Sequence, residues 1–159
     1  MMKKSILITL LLMLIASIST FAQKPYITEN FDINGIKIGS KVTPEILKRK
    51  LGEPTSERET VIPGLIAYCY GASCIGVYNG EVYEVTLRDN NLSVLTGLFE
   101  GGIRVGDNAE EVKAKILKQT KSIITETSMG FKAGNFDDNV NFRVSGGIIT
   151  EIDYCCESI

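Results

Sequence analysis

Two carboxylates in equivalent settings, Glu84 and Glu151, are the residues that most invite a catalytic reading, because glycoside hydrolysis uses such a pair. They lie 67 positions apart. So do Gly35-Ile36-Lys37-Ile38-Gly39 and Gly102-Ile103-Arg104-Val105-Gly106, and so do Gly80 and Gly147. Internal duplication alone therefore produces the carboxylate pair, and no catalytic role is assigned to it. Asp137-Asp138-Asn139 offers oxygen ligands but lacks the spacing and the later Glu of a calcium loop, so it reads as a turn. The glycine segments are not phosphate loops, since no Lys-Ser/Thr pair follows them.

The chain of 159 residues has no His and no Trp. Without His there is no Ser/His or Cys/His nucleophile pair, no usual zinc set and no ordinary near-neutral proton shuttle. No cofactor or metal is indicated, and the chain reads as non-enzymatic.

Four cysteines remain: Cys69, Cys74, Cys155 and Cys156. An even count suggests two disulfides in an exported protein, with three pairings open. Cys69 and Cys74 flank a four-residue turn on one strand face, which favours a bridge between them. Cys155 and Cys156 are adjacent and point to opposite sides of a strand, so a bridge between them would be strained, and Cys155 could instead join the first pair. The spacing is not that of a Cys-x-x-Cys redox motif.

Export is expected from the first 22 residues. Met1-Met2-Lys3-Lys4, an apolar run from Ile6 to Ile18 and Thr20-Phe21-Ala22 make a signal peptide cleaved before Gln23. The run is shorter than the roughly 20 residues of a spanning helix. No Cys at the cleavage point offers a lipid anchor, so the product is expected to be periplasmic or secreted, without stable membrane insertion. Loss of Lys3 and Lys4 takes the net charge from −2 to −4, and this mild acidity argues against nucleic acid as a partner.

The elements that would position these residues follow from local signals. Thr43-Pro44-Glu45 starts a helix, with Thr at the N-cap, Pro where no donor is needed and Glu against the dipole. Ile46, Leu47 and Leu51 share its inner side, and Gly52 and Pro54 stop it. Strands are expected at 57–62 and 65–70, then a hairpin of 74–78 and 81–88 about Asn79-Gly80, a pair that tolerates the positive φ of a tight turn. Residues 89–100 read as a linker. Asn108-x-x-Glu111 then opens a second helix with Val112, Ile116 and Leu117 on one face. Strands follow at 122–127, 131–136, 140–145 and 147–155.

The organisation expected is thus an α+β fold of two tandem copies (23–92 and 93–159), each a helix followed by an antiparallel β meander. The strands would form one curved sheet with helices on one face. The pattern Thr43-x-x-x-Leu47-x-x-x-Leu51-Gly52-x-Pro54 resembles the SmpA/OmlA-type outer-membrane assembly lipoproteins, in which a Gly-x-Thr turn opens a helix ending in Leu-Gly-x-Pro. The doubled layout is similar to the β-lactamase inhibitor protein-like fold. The first copy has two extra residues between Gly39 and Thr43, and the second lacks Leu-Gly-x-Pro after Leu117. These matched residues are structural, so the resemblance implies a fold and brings no active site.

Strand alternation puts Ile75, Val77, Tyr83, Val85 and Leu87 on an inner face with Val140, Phe142, Val144, Ile148, Thr150, Ile152 and Tyr154. The outer face would carry Cys69, Cys74 and Cys155 together with Tyr78, Glu84, Thr86, Arg143, Glu151 and Asp153. That polar face is the expected docking surface for another envelope or extracellular protein, in the manner of an inhibitor-like binder. The alternative is a structural or assembly factor of the bacterial cell envelope.

Overall fold

The computed structural model describes residues 23–155; the expected signal peptide, and Cys156, lie outside them. A short 3-10 turn, Thr28–Asn30, leads into a two-strand hairpin of β1 (Asp32–Ile33) and β2 (Ile36–Lys37). Helix α1 spans Pro44–Leu51 and is followed by β3 (Ser56–Glu59), β4 (Leu65–Tyr70), β5 (Ser73–Tyr78) and β6 (Glu81–Leu87). Helix α2 (Ala109–Gln119) precedes β7 (Ile123–Thr127), β8 (Gly130–Gly134), β9 (Asn139–Ser145) and β10 (Ile148–Cys155). Among the described residues no helix is long and apolar enough to cross a membrane.

The helix starts follow their caps. Thr43 Oγ1 accepts from the Ile46 amide at 3.4 Å, and Asn108 Oδ1 accepts from the amides of Glu110 and Glu111 at 3.0 and 3.1 Å. Gly52 ends α1 at φ 88°, a conformation that would strain a side chain.

Eight strands form one antiparallel sheet in the order β3-β4-β5-β6-β10-β9-β8-β7. The second glycine of each signature segment grips a strand of it: the Gly39 amide donates to the Val82 carbonyl at 2.8 Å, and the Gly106 amide to the Ile149 carbonyl at 2.8 Å. These glycines belong to turns that fasten the chain to β6 and β10.

The α+β class with two tandem helix-plus-meander copies is corrected by this arrangement. Among the described residues the protein is mostly β, an eight-stranded sheet and a two-stranded sheet with two helices of 8 and 11 residues. The physical reason lies in where the core comes from. The helices bring only Leu47, Ala109, Val112 and Ile116 fully inside, while the strands supply Ile75, Val85, Leu87, Phe131, Val140, Phe142, Ile149 and Ile152. Phe131 and Phe142 stack across β8 and β9 with ring centroids 4.6 Å apart.

The segment read as a linker is also core. Leu92, Val94, Leu95 and Phe99 are all buried, and Val94 bridges both Ile33 and Ile103 of the second signature segment. Leu95 adopts a left-handed φ of 58°, which costs roughly 1–2 kcal/mol for a residue with a side chain. Its amide donates to the Asp32 carbonyl at 2.8 Å and its carbonyl accepts from Phe99 at 2.9 Å, so burial and bonding hold the conformation.

Asp32 is the polar pin of this region. It is only 3% exposed, and its carboxylate accepts from the Gly35 amide at 2.7 Å, the Gly97 amide at 3.0 Å and the Thr96 hydroxyl. Three donors from two segments thus converge on one side chain.

The two sheet edges differ. β3 reads Ser-Glu-Arg-Glu and is exposed throughout, whereas β7 reads Ile-Ile-Thr-Glu-Thr. Charge on an edge discourages pairing with a foreign strand.

Replacing Asp32 with Ala leaves its donors without an acceptor. Denaturant unfolding should show a loss of about 2–4 kcal/mol, the range expected when more than one buried donor is orphaned.

Candidate docking face

The outer face is set by the seam between β6 and β10, where Leu87 pairs with Ile152, Thr86 with Asp153, Val85 with Tyr154 and Glu84 with Cys155. Side chains alternate across a strand, so burial of Val85, Leu87, Ile152 and Tyr154 turns Glu84, Thr86, Glu151 and Asp153 outward. Arg143 joins them as the cross-strand partner of Glu151 on β9.

Two β-bulges alter the expected alternation. In β6 the register shifts opposite Gly76 and Val77, and Val77 pairs with Val82, so Val82 is the buried residue and Tyr83 is half-buried. Its ring lies 6.1 Å from that of Tyr78. In β10 the shift falls between Ile149 and Glu151, which buries Ile149 and exposes Ile148 and Thr150. The inner-face assignments of Tyr83, Ile148 and Thr150 are corrected accordingly, because an inserted residue reverses the side on which its neighbours point.

Beyond the bulges the polar residues are tied to one another. Glu151 is clamped by Arg88 Nε at 2.7 Å and Arg143 Nε at 2.9 Å, and its side chain is only 12% exposed. Thr86 donates to Asp153 Oδ1 at 2.8 Å. Glu84 lies flat over Gly76, where an added Cβ would come within 2.4 Å of Glu84 Cγ. Burial raises the Glu84 carboxyl above the ordinary glutamate range, and the neighbouring Asp153 adds to the effect.

Arg143, Glu151 and Asp153 border a groove of about 280 Å³ that also takes in Lys132, Asn141 and Met129. Met129, 60% exposed, stands in the tight turn between β7 and β8. Asn141 lies two residues from Arg143 on β9 and follows from alternation, whereas Lys132, its partner on β8, is found only through the register of β8 on β9. Arg88 extends the series Glu84, Thr86 at spacing two, and that signal was present in the sequence.

Thr86, Arg143, Glu151 and Asp153 are thus brought together, and Glu84 lies farther along the seam. Tyr78 stands apart. It is three strand spacings from β9, about 14 Å, and several residues along the sheet from the Glu151 clamp. Glu84 and Glu151 are separated by four residues along the seam, about 13 Å, wider than the roughly 5–9.5 Å of a glycosidase pair.

The expected Cys69–Cys74 disulfide is present, joining directly paired residues of β4 and β5. Cys155 is exposed at the end of β10. In the Asp137-Asp138 turn, Asn135 Oδ1 accepts from both aspartate amides, and the Tyr154 hydroxyl donates to Asp138 Oδ2 at 3.0 Å. No cluster of metal-ligating side chains occurs among the described residues.

No protein-family model matches the chain, and no curated protein matches it. Among solved structures it is similar to the 1.5 Å crystal structure of an extracellular protein containing an SCP domain from Bacillus anthracis strain Ames. The two share 15% identity over 76% of this chain and 44% of that one, with a TM-score of 0.46. The chain spans less than half of that protein's length.

Two outcomes follow from this geometry. A raised folded-state value means that Glu84 favours folding while protonated, below the ordinary glutamate value, and that this contribution is lost as pH rises through the folded value. Glu84→Gln should therefore melt above wild type at pH 7 and converge on it near about pH 4, as thermal unfolding across that range would show. Reducing the five-residue Cys69–Cys74 link should cost about 2 kcal/mol in denaturant unfolding, the loop-closure value for so short a span.

Proposed function

We propose that the chain is an exported, non-enzymatic module that docks another envelope or extracellular protein on the outer face of its sheet. The observation that carries this reading is the Arg88–Glu151–Arg143 clamp beside the Met129 groove. Both arginine side chains are more than half exposed yet already fixed by Glu151. Holding a side chain in place before association lowers the entropy lost on binding. Arg, Met and Tyr are enriched at protein interfaces, and the face offers all three. Its mixed charge, with Lys132, Arg88 and Arg143 beside Asp153 and Glu151, suits a partner surface of complementary polar groups better than a nucleic acid backbone.

Export is supported by the leader-like first 22 residues and by the Cys69–Cys74 disulfide, since such bonds persist in oxidising compartments.

Affinity capture from the protein's own extracellular and envelope fractions tests this proposal, with the partner identified by mass spectrometry. The double variant Tyr78→Ala/Arg143→Ala should weaken capture at least about 30-fold, the scale of a hot-spot loss. Lys37→Ala, at an exposed position outside the eight-stranded sheet, should leave it unchanged. Undiminished capture by a correctly folded double variant would remove this face from consideration.

A further inference from the structure

Tyr70 is a second feature, on the opposite side of the sheet. Its partner across the hairpin is Ser73, and alternation along β4 puts Tyr70 and Tyr68 on the inner side, away from Cys69. Tyr70 is 6% exposed, and its hydroxyl is buried without a hydrogen-bond partner among the described residues. A buried hydroxyl that satisfies none of its bonding capacity is costly, so this one stands out from the rest of the interior.

The residue lines a groove of about 260 Å³ between α1 and the β3–β4 ribbon. Leu47, Pro54 and Tyr68 give it apolar and aromatic walls. Glu45, Glu53 and Glu57 supply its charge, against a single cation, Lys48. Lys48 is already ion-paired with Glu53, and Glu57 makes no ion pair among the described residues. The groove therefore presents an excess of negative charge and two phenol rings, with the unpartnered Tyr70 oxygen buried in its wall. Its size is below that of sites for drug-sized ligands, so it suits one extended side chain or a small molecule.

We propose that this groove binds an organic cation, an ammonium or guanidinium on a short apolar stem. The stem lies on Leu47, Pro54 and the tyrosine faces. An N–H of the cation donates to Tyr70 Oη, and Glu57, with Glu53, neutralises its charge. Aromatic faces attract cations, and a donor that carries charge makes the stronger hydrogen bond to the phenol oxygen. An anion fits poorly, because three carboxylates line the site.

The same chemistry can come from a free amine or from a basic side chain of a protein, and titration of the full chain separates the two. Two-dimensional NMR would follow the signals of Tyr68, Tyr70 and α1 while n-butylamine, n-butylguanidine, 1-butanol or an end-blocked Lys tripeptide is added. Saturable shifts confined to those residues are expected with the cations, with 1-butanol at least about tenfold weaker. Tighter binding of the tripeptide than of n-butylamine assigns the site to a protein side chain; equal or weaker binding assigns it to a free amine. Tyr70→Phe should weaken the cations about tenfold while melting at or above the wild-type temperature, since it removes an unpaired hydroxyl. Glu57→Gln, a near-isosteric change at an exposed position of the β3 edge that leaves the backbone pairing with Tyr68 in place, should weaken them as well. Wild-type affinity in both variants, absence of shifts at tens of millimolar, or equal response to 1-butanol would overturn the proposal. None of these outcomes depends on the outer face, so the docking assignment is tested separately.

Discussion

The pairing of β6 with β10 is the contact on which the rest of the structure depends. Each strand is the last of its set, and their antiparallel register turns two four-stranded ribbons into one sheet. On the inner side the seam buries Val85 and Leu87 against Ile152 and Tyr154, whose ring packs 4.6 Å from Phe31. On the outer side it sets Thr86 beside Asp153 and brings Arg88 to Glu151. A slip of one residue would move the apolar set to the solvent and dissolve the polar face in the same step. Core and candidate surface are thus two sides of one register.

Turn and cap chemistry made the local elements legible. Thr43-Pro44, Asn108 and Asn79-Gly80 sit where the structure uses them, because each acts on its own backbone within a few residues. Asn34-Gly35 is the same kind of signal and forms the tight β1–β2 turn, with both residues at positive φ, yet the strands it joins are too short to show an alternation. The bulges could not be read this way. Tyr83 and Thr150 look like ordinary alternating strand residues, and only the pairing with the neighbouring strand reveals the extra position.

Long-range features were less accessible still. Residues 89–100 have the Asn, Ser, Thr and Gly content of a linker, and their buried Leu92, Val94, Leu95 and Phe99 follow neither a helical nor a strand period. They become core because Asp32, some 65 residues earlier, gathers the Thr96 hydroxyl and the Gly97 amide. The candidate face shows the same division. Thr86, Arg143, Glu151 and Asp153 could be placed by alternation, whereas the clamp on Glu151 and the contribution of Lys132 required the strand order. The fold class departs from the sequence expectation for a related reason. A helix start is a local signal, while the extent of a sheet depends on pairings that no local pattern announces.

The unequal edges of the sheet govern how copies of this chain could meet. Ser56 to Glu59 carry two Glu and an Arg, so a foreign strand arriving there meets charge at three successive positions. Ile123 to Thr127 carry a single acid, already engaged by Lys113. A molecule with two permissive edges can add neighbours at both ends and grow into a fibre. With only one, two like molecules join edge to edge about a two-fold axis, each using up the other's permissive strand, and growth stops at a closed pair. The charged β3 edge thus offers no second site for edge-to-edge growth.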